Sequence, residues 1–348
     1  MPRDRTTVTE LATALGTSGV GSPAQAFERR PPALDLDPAH WSLLTELWRS
    51  GRFASDFATA FENGREFLVA PEGLGRRPAR RIEWTGGRRP PGDEVAPIDL
   101  RIDHVYLISC KYLSQNIQSP SPARLFDGLL ATAGSWDRGD WYVATAPEEY
   151  QALYRACRAV AGPAGLPDRA VDLSVEDRRA LRHSLPARRY PDEAVDAYRA
   201  LCAAVSRRSA ERWRARLAEA DGEVVLWRLL RIGNAPYFVL GADGSDRVAL
   251  RVDTPWDWRR RFRLRRLAVE PADAGQPQVN WTARYTDRSS GQEHEVHGHV
   301  EIRWSHGKFG QPPEAKVYLD TPVSQVPGYH PLASPGPGGA GQLPLFTG

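Results

Sequence analysis

Cysteine is almost missing from this 348-residue chain, which holds only Cys110, Cys157 and Cys202. Three widely spaced thiols build neither a disulfide framework nor a cysteine-based metal motif, and they fit a reducing compartment. Lysine is equally scarce: the 46 basic residues include only Lys111, Lys308 and Lys316. Long apolar runs are lacking too. No stretch approaches the ~20 apolar residues of a membrane span, and the opening MPRDRTTVTE leads into no apolar signal segment. These absences point to a protein of the cytoplasm, associated with the nucleoid if its partner is DNA. The arginine bias itself reflects genomic base composition.

What is present suffices for folding. A hydrophobic content of 41% supports real cores, and a formal charge of +3 permits a nucleic-acid partner without requiring one. Residues 1–35 carry no regular pattern and form, with the residues up to 45, an N-terminal segment. Across 38–69 the recurrence of Trp41, Leu44, Leu47 and Trp48 predicts a helix capped by Asp37, broken near Ser50–Gly51. IDLRID and HVYLISCKY read as two strands joined tightly at Asp103–His104, PSPARLFDGLLATA as a helix, and WYVATA as a further strand. Residues 46–165 thus form an α/β core with a mixed sheet flanked by helices. A charged helical segment follows over 166–222. Then EVVLWRLL, PYFVLGAD, VALRVDTP and the strands that follow predict a mainly antiparallel β domain over 223–325, and 326–348 is a Pro/Gly-rich tail. GADGSD at 241–246 is a turn without calcium-loop spacing, and no internal repeat occurs at solenoid spacing.

Lys111 ends an apolar strand in a chain that otherwise uses arginine. Alternation places Ser109 and Lys111 on one face of that strand, and a hairpin brings Asp99 to the same edge. A carboxylate for Mg²⁺ beside a compact amine is a hydrolytic arrangement, and lysine suits it because its pKa moves readily. Mg²⁺ favours hard oxygen ligands, so a second carboxylate is sought. A polar strand end with a snorkelling lysine is the alternative.

Pro97-Ile98-Asp99 followed by Ser109-Cys110-Lys111, with the serine ten residues after the aspartate, resembles the PD-(D/E)xK nuclease superfamily over roughly residues 50–150. The resemblance implies a restriction-endonuclease-like sheet flanked by helices and metal-dependent cleavage of phosphodiesters. It assigns catalytic roles to Asp99 and Lys111, with Mg²⁺ or Mn²⁺ as cofactor. The upstream helical glutamate would be Glu62 or Glu66, with Glu62 slightly preferred. Ser109 departs from the pattern, which usually has an acid there. Some SxK restriction endonucleases recruit an acid from the following helix, which here would be Asp127, giving Asp99, Glu62 and Asp127 as metal ligands.

Other stretches suggest binding. WDWRRRFRLRR at 256–266 interleaves aromatic and basic residues and offers a DNA surface through Arg259, Arg260 and Arg261. His294, His297, His299 and His306 lack cysteine partners, and His294 lies opposite His297 and His299 on a strand, so they read as polar or phosphate-facing groups beside Arg303, Lys308 and Lys316. The terminal Gln342, Leu343, Leu345 and Phe346 form an apolar peptide on a linker. QLPLF resembles the peptide by which bacterial repair and replication proteins bind the sliding clamp. The function expected is a metal-dependent DNA endonuclease of repair or defence, recruited by the clamp. Two alternatives stay open: an inactive nuclease-like DNA-binding or clamp-associated factor, and a hydrolase or binder centred on His297–His306.

Overall fold

The computed structural model describes residues 2–86, 97–112, 116–132, 139–187, 189–243 and 246–333. The tail peptide lies outside the described residues, as do the two central residues of the GADGSD turn. The chain forms two compact units, one from 1–114, 232–257 and 328–348, the other from 115–231 and 258–327. A linear division at 45, 165, 222 and 325 does not describe this, because the first unit takes strands from both halves of the chain. Within the described residues no helix is long and apolar enough to cross a membrane.

The chain opens with helix α1 (Pro2–Thr17), α2 (Pro23–Arg29), α3 (Pro38–Arg49) and α4 (Ala54–Val69). Its strands in order are β1 (Leu34–Asp35), β2 (Ile82–Trp84), β3 (Leu100–Ile102), β4 (Tyr106–Lys111), β5 (Asn116–Gln118), β6 (Tyr237–Asp243) and β7 (Asp246–Val252). The last five are β8 (Phe262–Asp273), β9 (Pro277–Asp287), β10 (Glu293–Arg303), β11 (Glu314–Leu319) and β12 (Tyr329–Pro331). The architecture is α/β: a mixed sheet flanked by helices, followed by a helical region and an antiparallel sheet.

In the first unit the sheet order is β1-β2-β3-β4-β6-β7-β12. β1 runs parallel to β2 and β4 parallel to β6, while the remaining pairs are antiparallel. Two segments expected in the β domain, PYFVLGAD and VALRVDTP, are therefore β6 and β7 of this first sheet. The helix break at Ser50–Gly51 is present, and Asp37 caps α3 by accepting the His40 N–H at 2.9 Å. The β3–β4 hairpin turns at Asp103 and His104, both at positive φ, and the Asp103 carboxylate accepts the backbone N–H groups of Arg80 and Arg81. That clamp compensates the left-handed backbone.

Residues 1–35 are not irregular. α1 is buried from Val8 to Thr17, enclosed on every side rather than along one stripe. Its contact with α4 depends on two glycines. A Cβ on Gly16 would strike the carbonyl oxygen of Phe61, and one on Gly64 would strike that of Thr13. The two backbones approach where no side chain fits.

The second unit's sheet runs β5-β11-β10-β9-β8, antiparallel throughout, with the helix Asp192–Ala218 packed against β8 and β9. Two expected strands are helices instead. WYVATA forms Trp141–Thr145 capped by Asp140, and EVVLWRLL lies in Gly222–Leu229 capped by Asp221. Both are short, mostly buried apolar runs, for which burial on several sides hides the helical period.

Candidate active site

The close α1–α4 crossing fixes the height of α1 above the sheet and so determines where Glu10 goes. Glu10 is only 7% exposed. One of its carboxylate oxygens accepts the indole N–H of Trp84 at 2.6 Å. Trp84 is the β2 residue paired with Leu100, the neighbour of Asp99. An edge-on contact with His40 at 4.8 Å supports the indole, and Asp37 in turn holds the His40 ring at 2.6 Å.

Asp99 sits at the mouth of the hairpin. Its own N–H bonds the Ile108 carbonyl, and its carboxylate accepts the Cys110 N–H at 2.6 Å. That bond fixes the side chain against β4, between Ser109 and Lys111. Lys111 is partly buried and stands opposite Gly241 on β6. A Cβ at position 241 would collide with the Lys111 carbonyl, so the parallel pairing that seats Lys111 depends on glycine there. Ser109 is fully buried, and its hydroxyl makes no hydrogen bond.

Glu10 senses the charges of both Asp99 and Lys111. Burial, and then the negative charge of Asp99, push the Glu10 carboxyl up to about 7, against the Trp84 hydrogen bond and the positive charge of Lys111. Burial, followed by the charges of Asp99 and Glu10, also raises the Cys110 thiol well above its usual range. Cys110 therefore stays neutral and is no nucleophile.

Burial and the neighbouring charge of Asp99 both disfavour the ionised Glu10, an arrangement that a divalent cation relieves. Among the described residues no group of three or more His, Cys, Asp or Glu is arranged to hold a metal. A pair nevertheless suits Mg²⁺, which keeps several waters and takes one or two carboxylates together with substrate phosphate oxygens.

The glutamates expected from the sequence are placed differently. Glu62 is exposed on α4 and pairs with Arg65 at 3.5 Å, while Glu66 pairs with Arg247 at 2.6 Å. Glu10 is hidden in the sequence because α1, buried from Val8 to Thr17, shows no polar face by which to read a helix. The sequence signal was the spacing of Val8, Leu11, Ala12 and Leu15 around it. Asp127 belongs to the second unit, where Arg212 grips both carboxylate oxygens at 3.0 and 2.6 Å. Service at a metal would require that bidentate pair to open.

The binding residues expected in the second unit are largely committed within it. Arg259 bonds Glu223 at 2.7 Å and covers the Trp227 ring, and Arg261 pairs with Asp287 at 3.4 Å. They belong to a short helix, Pro255–Arg261, rather than a strand; Arg260 is its penultimate residue. Arg303 pairs with Glu301 at 3.0 Å and donates to the Tyr318 hydroxyl. Lys308 donates to the carbonyls of Pro186 and Arg189 and lies over the Tyr190 ring. It thereby anchors Pro186, Arg189 and Tyr190. His297 and His299 are engaged by Glu295 and Asp320. Comparison with protein-family models, curated proteins and solved structures returns no match to this chain.

Proposed function

We propose that the first unit is a divalent-metal-dependent DNA endonuclease, with restriction-endonuclease-like architecture and the chemistry of the PD-(D/E)xK superfamily. The observation that carries this reading is the buried Glu10 carboxylate held by Trp84 within the electrostatic reach of Asp99 and Lys111. Glu10 takes the part that the superfamily resemblance assigns to Glu62, and it supplies, in place of Asp127, the second carboxylate that Ser109 lacks. Mg²⁺ or Mn²⁺ bound there would supply positive charge at the scissile phosphate and acidify a water at neutral pH. Asp99 and Glu10 provide the negative charge that holds the cation, with Asp99 fixed by the Cys110 N–H and Glu10 by Trp84. Lys111 presents ammonium protons to the attacking water or to the phosphoryl oxygen on which charge develops. Roles in repair and in defence both accommodate this chemistry, and the QLPLF tail would bring the enzyme to the sliding clamp.

Ser109 favours a second reading, an inactive nuclease-like DNA-binding or clamp-associated factor, since its buried hydroxyl brings no charge to the site. One assay separates the two. Linear, nicked, mismatched and single-stranded DNA are incubated with the full chain in Mg²⁺, in Mn²⁺ and in chelator. The nuclease reading expects cleavage of at least one substrate in metal and none in chelator. Absence of cleavage with either metal, in protein that still binds DNA, would favour the inactive factor.

A further inference from the structure

We propose that the outer face of the second unit's sheet, at its β8–β9 end, binds a nucleic-acid phosphate backbone. β8 is an edge strand of that sheet. Its pairing with β9 slips between Leu264 and Arg266, leaving Arg265 as the extra residue of a bulge. In an unbroken strand Arg263 and Arg266, three apart, would point to opposite faces. The bulge restores both to one face: Arg263 stands opposite Thr286 and Arg266 opposite Arg284. Arg265 joins them by donating its Nε–H to the Thr286 hydroxyl at 2.7 Å. All four arginines are exposed.

Nearby carboxylates offset only half of the group, leaving Arg263 and Arg266 unpaired among the described residues. Glu295 is taken by Arg284 at 2.9 and 2.8 Å, and Glu293 lies 3.9 Å from Arg265. Arg266 and Arg284 stand directly opposite each other, a like-charge pair that disfavours the sheet and that Glu295 offsets only from the Arg284 side. Charged edge strands block unwanted pairing, and that purpose accounts for one or two cations. It does not account for a bulge that gathers four onto one face with a cross-strand repulsion. A row of phosphates accounts for both, because guanidinium binds phosphate in a bidentate fork and a polyanion offsets the repulsion. Beyond Arg284 the face continues along β9 as Thr282 and Asn280, polar groups suited to a wet contact, and the basic stretch ends at the exposed Glu270 of β8, opposite Asn280. The naming of DNA as the polyanion rests on the nuclease reading; the charge argument for the surface does not.

Binding of a labelled duplex of about 20 base pairs, followed by anisotropy in chelator between about 50 and 200 mM salt, tests this with the full chain. The double variant Arg263→Glu/Arg266→Glu is expected to lose at least about tenfold in affinity, with the salt slope falling by about two, since each lost phosphate contact removes about 0.9 from the slope. Arg259→Gln, whose guanidinium already serves Glu223 and Asp221, is expected to change affinity less than about twofold, and a melt of each variant monitors the fold. Equal affinity and slope in a folded double variant, or no DNA binding by the wild type, overturns the proposal. Competition by polyglutamate as effective as by DNA would assign an acidic protein instead and also overturns it. Loss of binding in the double variant, in a protein whose wild type never cuts DNA, leaves the surface standing and removes only the nuclease reading.

Discussion

Glu10 makes the most quantitative claim about the site. Its carboxyl is raised from 4.5 to about 7, mainly by burial and then by the charge of Asp99. In the unfolded chain the group ionises near its ordinary value, so between about pH 4.5 and 7 the folded protein holds a proton that the unfolded chain has released. The contribution to stability is therefore fully present below pH 4.5 and is lost as the pH rises through 7. At about 1.36 kcal/mol per unit, the ionised carboxylate costs the metal-free fold on the order of 3 kcal/mol at pH 8. Glu10→Gln retains an acceptor for Trp84 and removes the charge. In chelator, the variant is expected to match the wild type at pH 4.5 or below and to exceed it by up to ~3 kcal/mol at pH 8. For a cooperative unit of about 150–250 residues, that corresponds to roughly 6–12 °C in Tm. Mg²⁺ added at pH 8 is expected to stabilise the wild type and leave the variant nearly unmoved. Thermal and urea melts across this pH range provide the assay. A variant less stable than the wild type at pH 8 would refute the reasoning, because it would show that the charge of Glu10 is already satisfied within the fold.

Three further outcomes follow from the packing and the tail. Gly64→Ala sets a Cβ against the backbone of Thr13, Gly16 and Thr17 on α1, and is expected to cost at least about 1–3 kcal/mol in denaturant melts; a neutral result would mean that the two helices are not in contact there. Lys308→Met removes the ammonium that anchors Pro186, Arg189 and Tyr190 and is expected to destabilise by about 1–3 kcal/mol without altering DNA affinity, whereas weaker DNA binding at unchanged stability would show it to be a phosphate contact. Replacing Leu345 and Phe346 by Ala is expected to abolish a ~micromolar affinity for the sliding clamp with Tm unchanged, and equal titrations of the two proteins, or none, would discard the tail reading.

Much of the fold is legible in the sequence where one face meets water. α3 and α4 announce themselves by a helical stripe and the Asp37 cap, and the β3–β4 hairpin by alternation around Asp103–His104. Elements enclosed on many sides were not legible. α1 lacks a polar face because Ala, Thr and Gly let it sink between α4 and the sheet, and with it went the placement of Glu10. The helices Trp141–Thr145 and Gly222–Leu229 imitate strands in composition; their only local markers are Asp140 and Asp221, each one residue ahead. Asp99 and Lys111 were legible as a pair because strand alternation is rigid. Arg259 and Arg261 were legible only as charge, since the partners that occupy them, Glu223 and Asp287, come from distant segments.

The central claim is that Glu10, Asp99 and Lys111 together form a metal-dependent cleavage site, and a single series of rates tests it. Mg²⁺-supported DNA cleavage is measured for the wild type and for Asp99→Ala, Lys111→Ala, Glu10→Gln and Glu62→Gln, each checked for an intact fold. The first three are expected to lose activity by orders of magnitude, because metal placement and water activation act in the transition state, while Glu62→Gln retains it. Full activity in Asp99→Ala and Lys111→Ala, or loss in Glu62→Gln with Glu10→Gln unaffected, would contradict the account.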